Sequence, residues 1–206
     1  MGRRYPPSEA DLEALVHAYR RFMPLTPELE EALRRSHVGM FVDKGERCLT
    51  TGSRCDEIYF VASGLLHMYF EVDGKMSTLK FVSAGGLITD YGSFLRRTPS
   101  EVDLLALEQS TVLTMNYDTL HQLYESVPGA DRLGRKVAES LFMVVSYRNE
   151  SLISSTAEQR YIEILADQPD IINRVPLYLI ATYLGVTPEA LSRIRRRLTV
   201  KPGRTS

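Results

Sequence analysis

The sequence is poor in the residues that build metal centres, disulfide frameworks and membrane spans. Among its 206 residues there are two cysteines, four histidines and no tryptophan. Two cysteines are too few for a disulfide framework or for an iron–sulfur cluster held by four thiolates. No apolar run approaches the ~20 residues of a membrane span, and the N-terminus lacks the apolar segment of a signal peptide. We therefore expect a cytoplasmic protein without a cofactor, a metal site or a membrane partner.

The few cysteines and histidines are also placed unfavourably for redox or metal chemistry. Cys48 and Cys55 lie in strand-rich segments, where isolated thiols are more often inert core residues than a redox pair. The histidines are scattered singly and form no His-x-His pair: His17, His37, His67 and His121. A cupin-like metal enzyme needs clustered ligands. It is therefore the less favoured alternative, and we expect no enzymatic activity.

Charge is distributed unevenly along the chain. Residues 174–206 contain seven arginines and lysines and a single acidic residue, Glu189, whereas the whole chain has a formal net charge of −1. The residues before this segment are therefore acidic on balance. A basic C-terminal segment on an acidic body is typical of a protein that presents one end to a polyanion such as DNA.

The segment 175–198 predicts two short helices joined by a tight turn. Gly185 supplies the permissive backbone of such a turn, Thr187 is a natural N-cap, and Pro188 stands where a missing N–H is harmless. An apolar stripe on the second helix is formed by Leu191, Ile194 and Leu198. The pattern predicts a helix-turn-helix, which usually places its second helix in the DNA major groove.

The side of the second helix opposite the apolar stripe carries side chains that can bind DNA. Base edges are read by hydrogen-bonding side chains, and phosphates are bound by arginine among other residues. The candidate DNA-binding residues are Thr187, Glu189, Ser192, Arg193, Arg196 and Arg197. The alternative is an amphipathic hairpin with a solvated basic face, which the basic charge of the whole segment makes less favoured.

Two segments precede the long helix that is predicted at residues 129–153. Residues 8–36 have helical spacing, with a capping pattern at Ser8 and Asp11. Residues 38–116 contain short β-rich runs separated by glycines, and Asp73–Gly74 predicts a two-residue hairpin turn. We expect a barrel, sandwich or roll closed by a short helix at 118–124, with strands at 58–61, 65–70, 78–82, 104–107 and 112–115.

Residues 129–153 contain no proline and predict one long helix. Its middle is apolar nearly all round, so more than one side must be covered. A capping box at Ser155 and Glu158 predicts where the C-terminal domain begins. We expect a homodimer interface, with a simple core helix as the alternative, because steps of three and four residues form a coiled-coil seam of Ala138, Leu141, Val145, Arg148, Leu152 and Ser155.

The order of a glycine-punctuated β-roll, a long helix and a C-terminal helix-turn-helix resembles the Crp/Fnr family of bacterial transcription regulators. Residues 44–46, Gly52 and residues 56–64 are similar to the family's early β-roll motif. Residues 86–94 are similar to the segment that lines the family's effector pocket. The second helix of the hairpin matches the Glu-x-x-Ser-Arg pattern of the Fnr-like branch, beginning at Glu189.

The resemblance implies an α+β fold in three parts and a set of partners. The parts are a jelly-roll-like sensor β-roll at residues 1–128, a dimerisation helix at 129–154 and a helix-turn-helix domain at 155–206. The implied partners are double-stranded DNA with a palindromic operator, a second copy of the chain, RNA polymerase and a small-molecule effector. The sequence does not identify that effector.

The candidate effector pocket departs from the pattern of the family members that bind cyclic nucleotides. Those members carry Gly-Glu for the ribose and, after a loop, Arg-Ser or Arg-Thr for the cyclic phosphate. This chain has Thr89-Asp90 and Ser100-Glu101 at these places. A buried phosphate needs a cation or several donors, and carboxylates beside it are unfavourable. The candidate pocket residues are Thr89, Asp90, Gly92, Ser93, Ser100 and Glu101.

We therefore expect a regulator that senses a signal other than cyclic AMP or acts without a ligand. Arg96 and Arg97 lie in the intervening loop, and two solvated arginines are the favoured interpretation. If they replace the missing arginine, the alternative is a cyclic-nucleotide-responsive regulator with a rebuilt pocket. Few residues follow the second helix of the hairpin, so we expect fewer backbone contacts from a wing, unless Lys201 and Arg204 supply them.

Overall fold

The computed structural model describes residues 2–199 and begins with a short strand and two helices. Strand β1 (Arg3–Tyr5) precedes α1 (Glu9–Arg20) and α2 (Pro27–Ser36). The predicted capping box is present, because the Ser8 hydroxyl accepts from the Asp11 N–H and the Asp11 carboxylate accepts from the Ser8 N–H. The tail residues Lys201 and Arg204, which the sequence offered as further DNA contacts, lie outside the described residues.

Two antiparallel sheets form the predicted β-roll. They contain β1 and the strands β2 (Val38–Val42), β3 (Arg47–Leu49), β4 (Glu57–Ser63), β5 (Leu65–Val72), β6 (Lys75–Ser83), β7 (Leu87–Ile88), β8 (Asp103–Ala106) and β9 (Ser110–Asn116). One sheet has the order β1-β2-β9-β4-β7 and the other the order β3-β8-β5-β6. The five predicted strands are confirmed as β4, β5, β6, β8 and β9, whereas the sequence did not predict β1, β2, β3 and β7 as separate strands.

The predicted hairpin turn joins β5 to β6. Asp73 and Gly74 both have positive φ angles, of 53° and 70°. This is the pattern of a type I′ turn, whose twist matches that of the flanking strands. The hairpin forms one edge of the four-stranded sheet and pairs Leu66 with Val82 near its base.

A short helix that the sequence did not predict, α3 (Tyr91–Arg96), follows β7. The Asp90 side chain caps it by accepting from the Ser93 N–H. The helix ends at Arg97, which has a left-handed φ of 57°. This sharp end directs the chain toward Ser100 and back to the roll, so α3 closes the region that the sequence marks as the effector pocket.

Helices make up the rest of the chain. They are α4 (Tyr117–Ser126), α5 (Ala130–Ser154), α6 (Ala157–Asp167), α7 (Pro169–Arg174), α8 (Leu177–Leu184) and α9 (Pro188–Thr199). The long helix α5 agrees with its predicted bounds. The capping box of α6 lies one residue later than predicted: Thr156 and Gln159 form it, not Ser155 and Glu158, because Ser155 still ends α5. No helix within residues 2–199 is long and apolar enough to cross a bilayer.

Two hydrophobic clusters hold these elements together. The first lies between the two sheets and extends to α1, α2 and α4, with fully buried members such as Leu15, Phe60 and Leu113. The second joins Leu65 and Phe81 of the four-stranded sheet to the C-terminal helices. The C-terminal helices therefore pack directly on the outer face of the roll, through Leu179, Ile180, Ala181, Leu184, Leu191 and Ile194 among others.

Candidate nucleic-acid interface and effector pocket

The hairpin of α8 and α9 has the predicted turn. Gly185 adopts a left-handed conformation at the end of α8, with φ 69° and ψ 33°. Its N–H donates to the Thr182 carbonyl at 3.1 Å, and the next N–H donates to the Ala181 carbonyl at 3.0 Å. The Thr187 hydroxyl accepts from the Ala190 N–H at 3.2 Å and so caps α9, which begins at Pro188. Thr187 therefore serves as the N-cap of α9.

Helix α9 has one buried and one exposed face. Leu191 is fully buried and Ile194 is 5% exposed, so the apolar stripe packs into the second hydrophobic cluster. The opposite face consists of exposed side chains and includes Glu189, Ser192, Arg193 and Arg196. The predicted polar residues are therefore brought together on a surface that can enter a groove.

Two charged groups on α9 have defined surroundings. The pKa of Glu189 is lowered by hydrogen bonds from its own N–H and the Thr187 hydroxyl and by the nearby Arg193, so it stays an acceptor. Arg197 forms an ion pair with Glu158 of α6, with Nη2 2.9 Å from the carboxylate. A phosphate contact by Arg197 would have to compete with this ion pair.

Four of the predicted pocket residues lie in the region that α3 closes, and three of them, Asp90, Ser93 and Ser100, are joined to one another by hydrogen bonds. The Ser100 hydroxyl donates to the Asp90 carboxylate at 2.8 Å, and the same carboxylate accepts from the Ser93 N–H at 3.1 Å. The Ser93 hydroxyl donates to the Thr98 carbonyl at 2.6 Å. The Thr89 hydroxyl donates to the Glu57 carbonyl at 2.9 Å. These polar groups are satisfied within the chain, so a ligand would have to displace their hydrogen bonds.

The remaining pocket predictions and the two loop arginines lie around this group. Glu101 is exposed. A Cβ added to Gly92 would lie 3.1 Å from Arg96 Nη2 and 3.4 Å from Asp90 Oδ1, so the Arg96 guanidinium lies over Gly92. Arg97 is not the solvated side chain that the sequence predicted. It forms an ion pair with Asp56, and its guanidinium lies 4.2 Å from the centre of the Tyr117 ring. Its charge is therefore engaged by these two groups.

An apolar cavity of ≈ 50 Å³ lies beside this group, between β7, α4 and α5. Thr89 and Tyr91 border it on one side and Tyr124 on another. Ala138 and Leu141, which the sequence assigned to the dimer seam, line the cavity and face their own β-roll in the single chain. The β-roll therefore covers one side of α5, whose apolar middle must be covered on more than one side.

Arg148, another residue of the predicted seam, contacts α8 within the chain. Its guanidinium donates to the Tyr183 carbonyl at 2.9 Å and lies 3.7 Å over the Tyr183 ring. This position therefore has partners within the chain, and its place in the dimer seam stays a prediction. The apolar side chains that are exposed on α5 include the predicted Val145 and Leu152 together with Phe142, Met143, Val144, Tyr147 and Ile153.

The thiols lie in surroundings that suppress their reactivity. Burial raises the pKa of the Cys48 thiol to about 12, and burial also raises that of Cys55, which is fully buried. Thiols with raised pKa values form little thiolate and react slowly. Within the described residues, no three His, Cys, Asp or Glu side chains group in a way that could hold a metal ion.

Acidification should destabilise the fold through two buried histidines. Burial lowers the pKa of both His37 and His67 to about 4, whereas histidine in an unfolded chain titrates near ~6.5. The unfolded chain takes up these protons first, so the stability is complete above about pH 6.5 and is lost as the pH falls toward about 4. Each histidine contributes up to ~1.4 kcal/mol per pH unit within this window.

Urea unfolding at pH 7, 6 and 5 measures this dependence. The variants His37→Gln and His67→Gln should each be less stable at pH 7 but lose less stability on acidification than the wild type. If both variants show the same fall with pH as the wild type, the histidines are not buried in their neutral form.

Comparisons with a family model and with solved structures agree with the order of a β-roll followed by C-terminal helices. A family model described as the cyclic nucleotide-binding domain matches residues 40–127. No curated protein matches the chain. FixK2 from Bradyrhizobium japonicum superposes with a TM-score of 0.68 at 18% identity, over 82% of this chain and 89% of that one.

Two further solved structures have the same fold. The c-di-GMP responsive global regulator CLP of Xanthomonas campestris has a TM-score of 0.67 at 18% identity, over 86% of this chain and 95% of that one. A protein from Eubacterium rectale, described as a transcriptional regulator of the Crp/Fnr family, has a TM-score of 0.66 at 17% identity. The alignment covers 88% of each chain. At such identities the likeness establishes a shared fold.

Proposed function

We propose that this chain, which has a cyclic nucleotide-binding domain at residues 40–127 and the fold of the Crp/Fnr transcription regulators, is a dimeric, sequence-specific DNA-binding regulator. The observation that carries the proposal is the two-sided helix α9. Leu191 and Ile194 anchor it in the second hydrophobic cluster, while the opposite face presents Glu189, Ser192 and Arg193 to solvent.

Four exposed side chains of α9 have a role in this proposal. Arg193 donates two hydrogen bonds to O6 and N7 of a guanine, and Glu189, which stays ionised, accepts from the amino group of a cytosine. Arg196 and Arg197 contact phosphates and set the position of the helix on the duplex. The match to the Fnr-like pattern suggests half-sites that resemble TTGA.

The long helix α5 joins two copies of the chain in this proposal. Two helix-turn-helix units must then lie ~34 Å apart to enter successive major grooves of a palindromic operator. A signal other than cyclic AMP acts through its different affinity for arrangements that do and do not fit this spacing. RNA polymerase is the protein partner through which the bound dimer affects transcription.

Selection of bound sequences from a random DNA library tests the proposal. We expect the wild-type protein to enrich a two-fold symmetric site whose half-sites are centred ~10 base pairs apart, or at a multiple of that distance. Repeating the selection with cell metabolites added shows whether an effector changes affinity. Recovery of unrelated sequences in both selections would mean that the protein does not read DNA by sequence.

Cyclic AMP and cyclic GMP should not bind tightly. The Ser100 hydroxyl is already donated to the Asp90 carboxylate, and Arg97 is held by Asp56, so a cyclic phosphate would meet a carboxylate in place of a cation. Titration calorimetry should show no binding at micromolar nucleotide. Low-micromolar binding that is lost in Arg96→Ala would instead support a rebuilt cyclic-nucleotide pocket, since Arg96 lies over Gly92.

A further inference from the structure

The contact between the β-roll and the C-terminal helices contains polar groups at its centre. Leu65 and Phe81 of the roll belong to the same hydrophobic cluster as α8 and α9. Among them, His67 is fully buried and Thr78 is 4% exposed. The His67 ring is stacked between neighbouring aromatic rings of the same sheet, 4.9 Å from Tyr69 and 5.0 Å from Phe81. An otherwise apolar interface therefore encloses two polar side chains of the roll.

These groups form a hydrogen-bonded chain. The Thr182 hydroxyl of α8 lies 2.9 Å from the Leu179 carbonyl and 2.6 Å from the Thr78 hydroxyl, which itself lies 3.4 Å from the same carbonyl. The Thr78 hydroxyl is also 2.9 Å from His67 Nε2. The chain therefore connects β5 through β6 to α8.

One ring nitrogen of His67 is left unsatisfied. His67 Nδ1 is buried and has no hydrogen-bond partner within residues 2–199. Burying a polar nitrogen without a partner is unfavourable, and exposure to water removes the penalty. The contact between the roll and α8 therefore combines a specific hydrogen-bonded chain with one unsatisfied polar atom.

Two arginines bind α8 next to the same place. Arg148 of α5 donates to the Tyr183 carbonyl at 2.9 Å, and Arg160 of α6 donates to the Leu184 carbonyl at 2.8 Å. Cations at the C-terminal carbonyls of a helix are favourable. Three consecutive residues of α8, 182 to 184, are therefore held by β6, α5 and α6 in turn, directly before the turn at Gly185 that orients α9.

We propose that Thr78 and Thr182 are positioning residues, which fix the orientation of the helix-turn-helix on the β-roll through this hydrogen-bonded chain. Breaking the bond between them weakens the docking of α8 and α9 on the roll, while the hydrophobic cluster around Leu65 and Phe81 still holds the two units together. The consequence for operator recognition rests on the proposed function. The docking itself is a property of the free protein, so it is tested without DNA and can fail independently of DNA binding.

Two substitutions at one position separate hydrogen bonding from packing. Thr182→Val keeps the shape of the side chain but removes the hydroxyl, whereas Thr182→Ser keeps the hydroxyl but removes the methyl group. Hydrogen–deuterium exchange of the amides in α8 reports the docking, with the amides of β4 and β9 as an internal reference. Loss of one buried hydrogen bond should raise the exchange in α8 about fivefold in Thr182→Val. Thr182→Ser should stay near the wild type.

A double substitution tests whether the two threonines act through one bond. Thr78→Val alone should raise exchange in α8 as Thr182→Val does, and the double variant should add little, because the bond is already lost. The proposal is overturned if α8 of the serine variant exchanges as fast as α8 of the valine variant. It is also overturned if the effects of the two valine substitutions are fully additive, or if exchange in β4 and β9 rises by the same factor as in α8. These results would indicate a general loss of packing.

Discussion

Replacing Val145 with glutamate should convert the proposed dimer into monomers. Val145 is 57% exposed on α5, and Phe142, which lies on the same side of the helix, is 69% exposed. In a two-fold interface the substitution introduces two charges facing one another, and a buried unpaired charge costs about 3–5 kcal/mol. Sedimentation equilibrium at micromolar concentration should therefore give the mass of a single 23.3 kDa chain for the variant and twice that mass for the wild type.

Ser140→Glu is the matched control for this experiment. Ser140 is exposed on the opposite side of α5, so the variant should stay dimeric. Leu141 is unsuitable, because it lines the cavity against the β-roll and a charge there would disturb the fold of the single chain. If the Val145 variant stays dimeric at low concentration, or the wild type is a monomer, α5 is not the dimer interface.

Arg193→Ala should weaken DNA binding by roughly 1–3 kcal/mol and remove the preference at one base pair of each half-site. Arg193 lies on the exposed face of α9 with Glu189, and loss of its guanidinium removes paired donors to a guanine. Arg196→Ala should instead weaken binding about equally on all sequences and lower the salt dependence by about one phosphate contact per subunit.

Quantitative binding to a panel of single-base variants of the operator, at two salt concentrations, separates the two arginines. Arg197→Ala extends the comparison, because the ion pair with Glu158 should make its phosphate contact weaker than that of Arg196. A uniform loss of affinity in Arg193→Ala with unchanged base preferences would show that Arg193 touches only phosphate, and the register proposed for α9 would be wrong.

Periodicity predicted the elements in which one face is buried. The β-rich runs between glycines, the Asp73–Gly74 turn and the two faces of α9 all follow from local composition, spacing and backbone preference. The capping box of α6 lies one residue later than predicted, and the reason is again local. Both Ser155 with Glu158 and Thr156 with Gln159 satisfy the pattern, and only the end of α5 at Ser154 selects the second pair.

The parts that could not be predicted depend on long-range pairing. Strand β1 is three residues long and exists because Arg3–Tyr5 pairs with Gly39–Phe41, which no local pattern indicates. The middle of α5 is apolar on every side, so spacing alone could not tell that Ala138 and Leu141 face their own roll. The bond between Ser100 and Asp90 is equally invisible in sequence, since α3 brings them together.

The contact between the β-roll and α8 also depends on long-range pairing, so the sequence did not predict it. His67 and Thr78 lie 11 residues apart on the β5–β6 hairpin, whereas Thr182 of α8 is 104 residues from Thr78. Their only signal is polarity at positions that should be apolar: His67 and Thr78 both stand in strands whose neighbours are largely buried. A buried polar residue in such a strand must find a partner, which makes it a marker for a specific contact.

Binding to operators with altered spacing tests most directly the claim that two copies of α9 read DNA as a pair. The selected palindrome and a version with five base pairs inserted at its centre are compared in equilibrium titrations at physiological salt. The insertion turns one half-site by about half a helical turn, so both helices can no longer reach their grooves together. The insertion should lower affinity to that for random DNA, about 10³-fold or more weaker than for the palindrome. Equal affinity for both duplexes would contradict this claim.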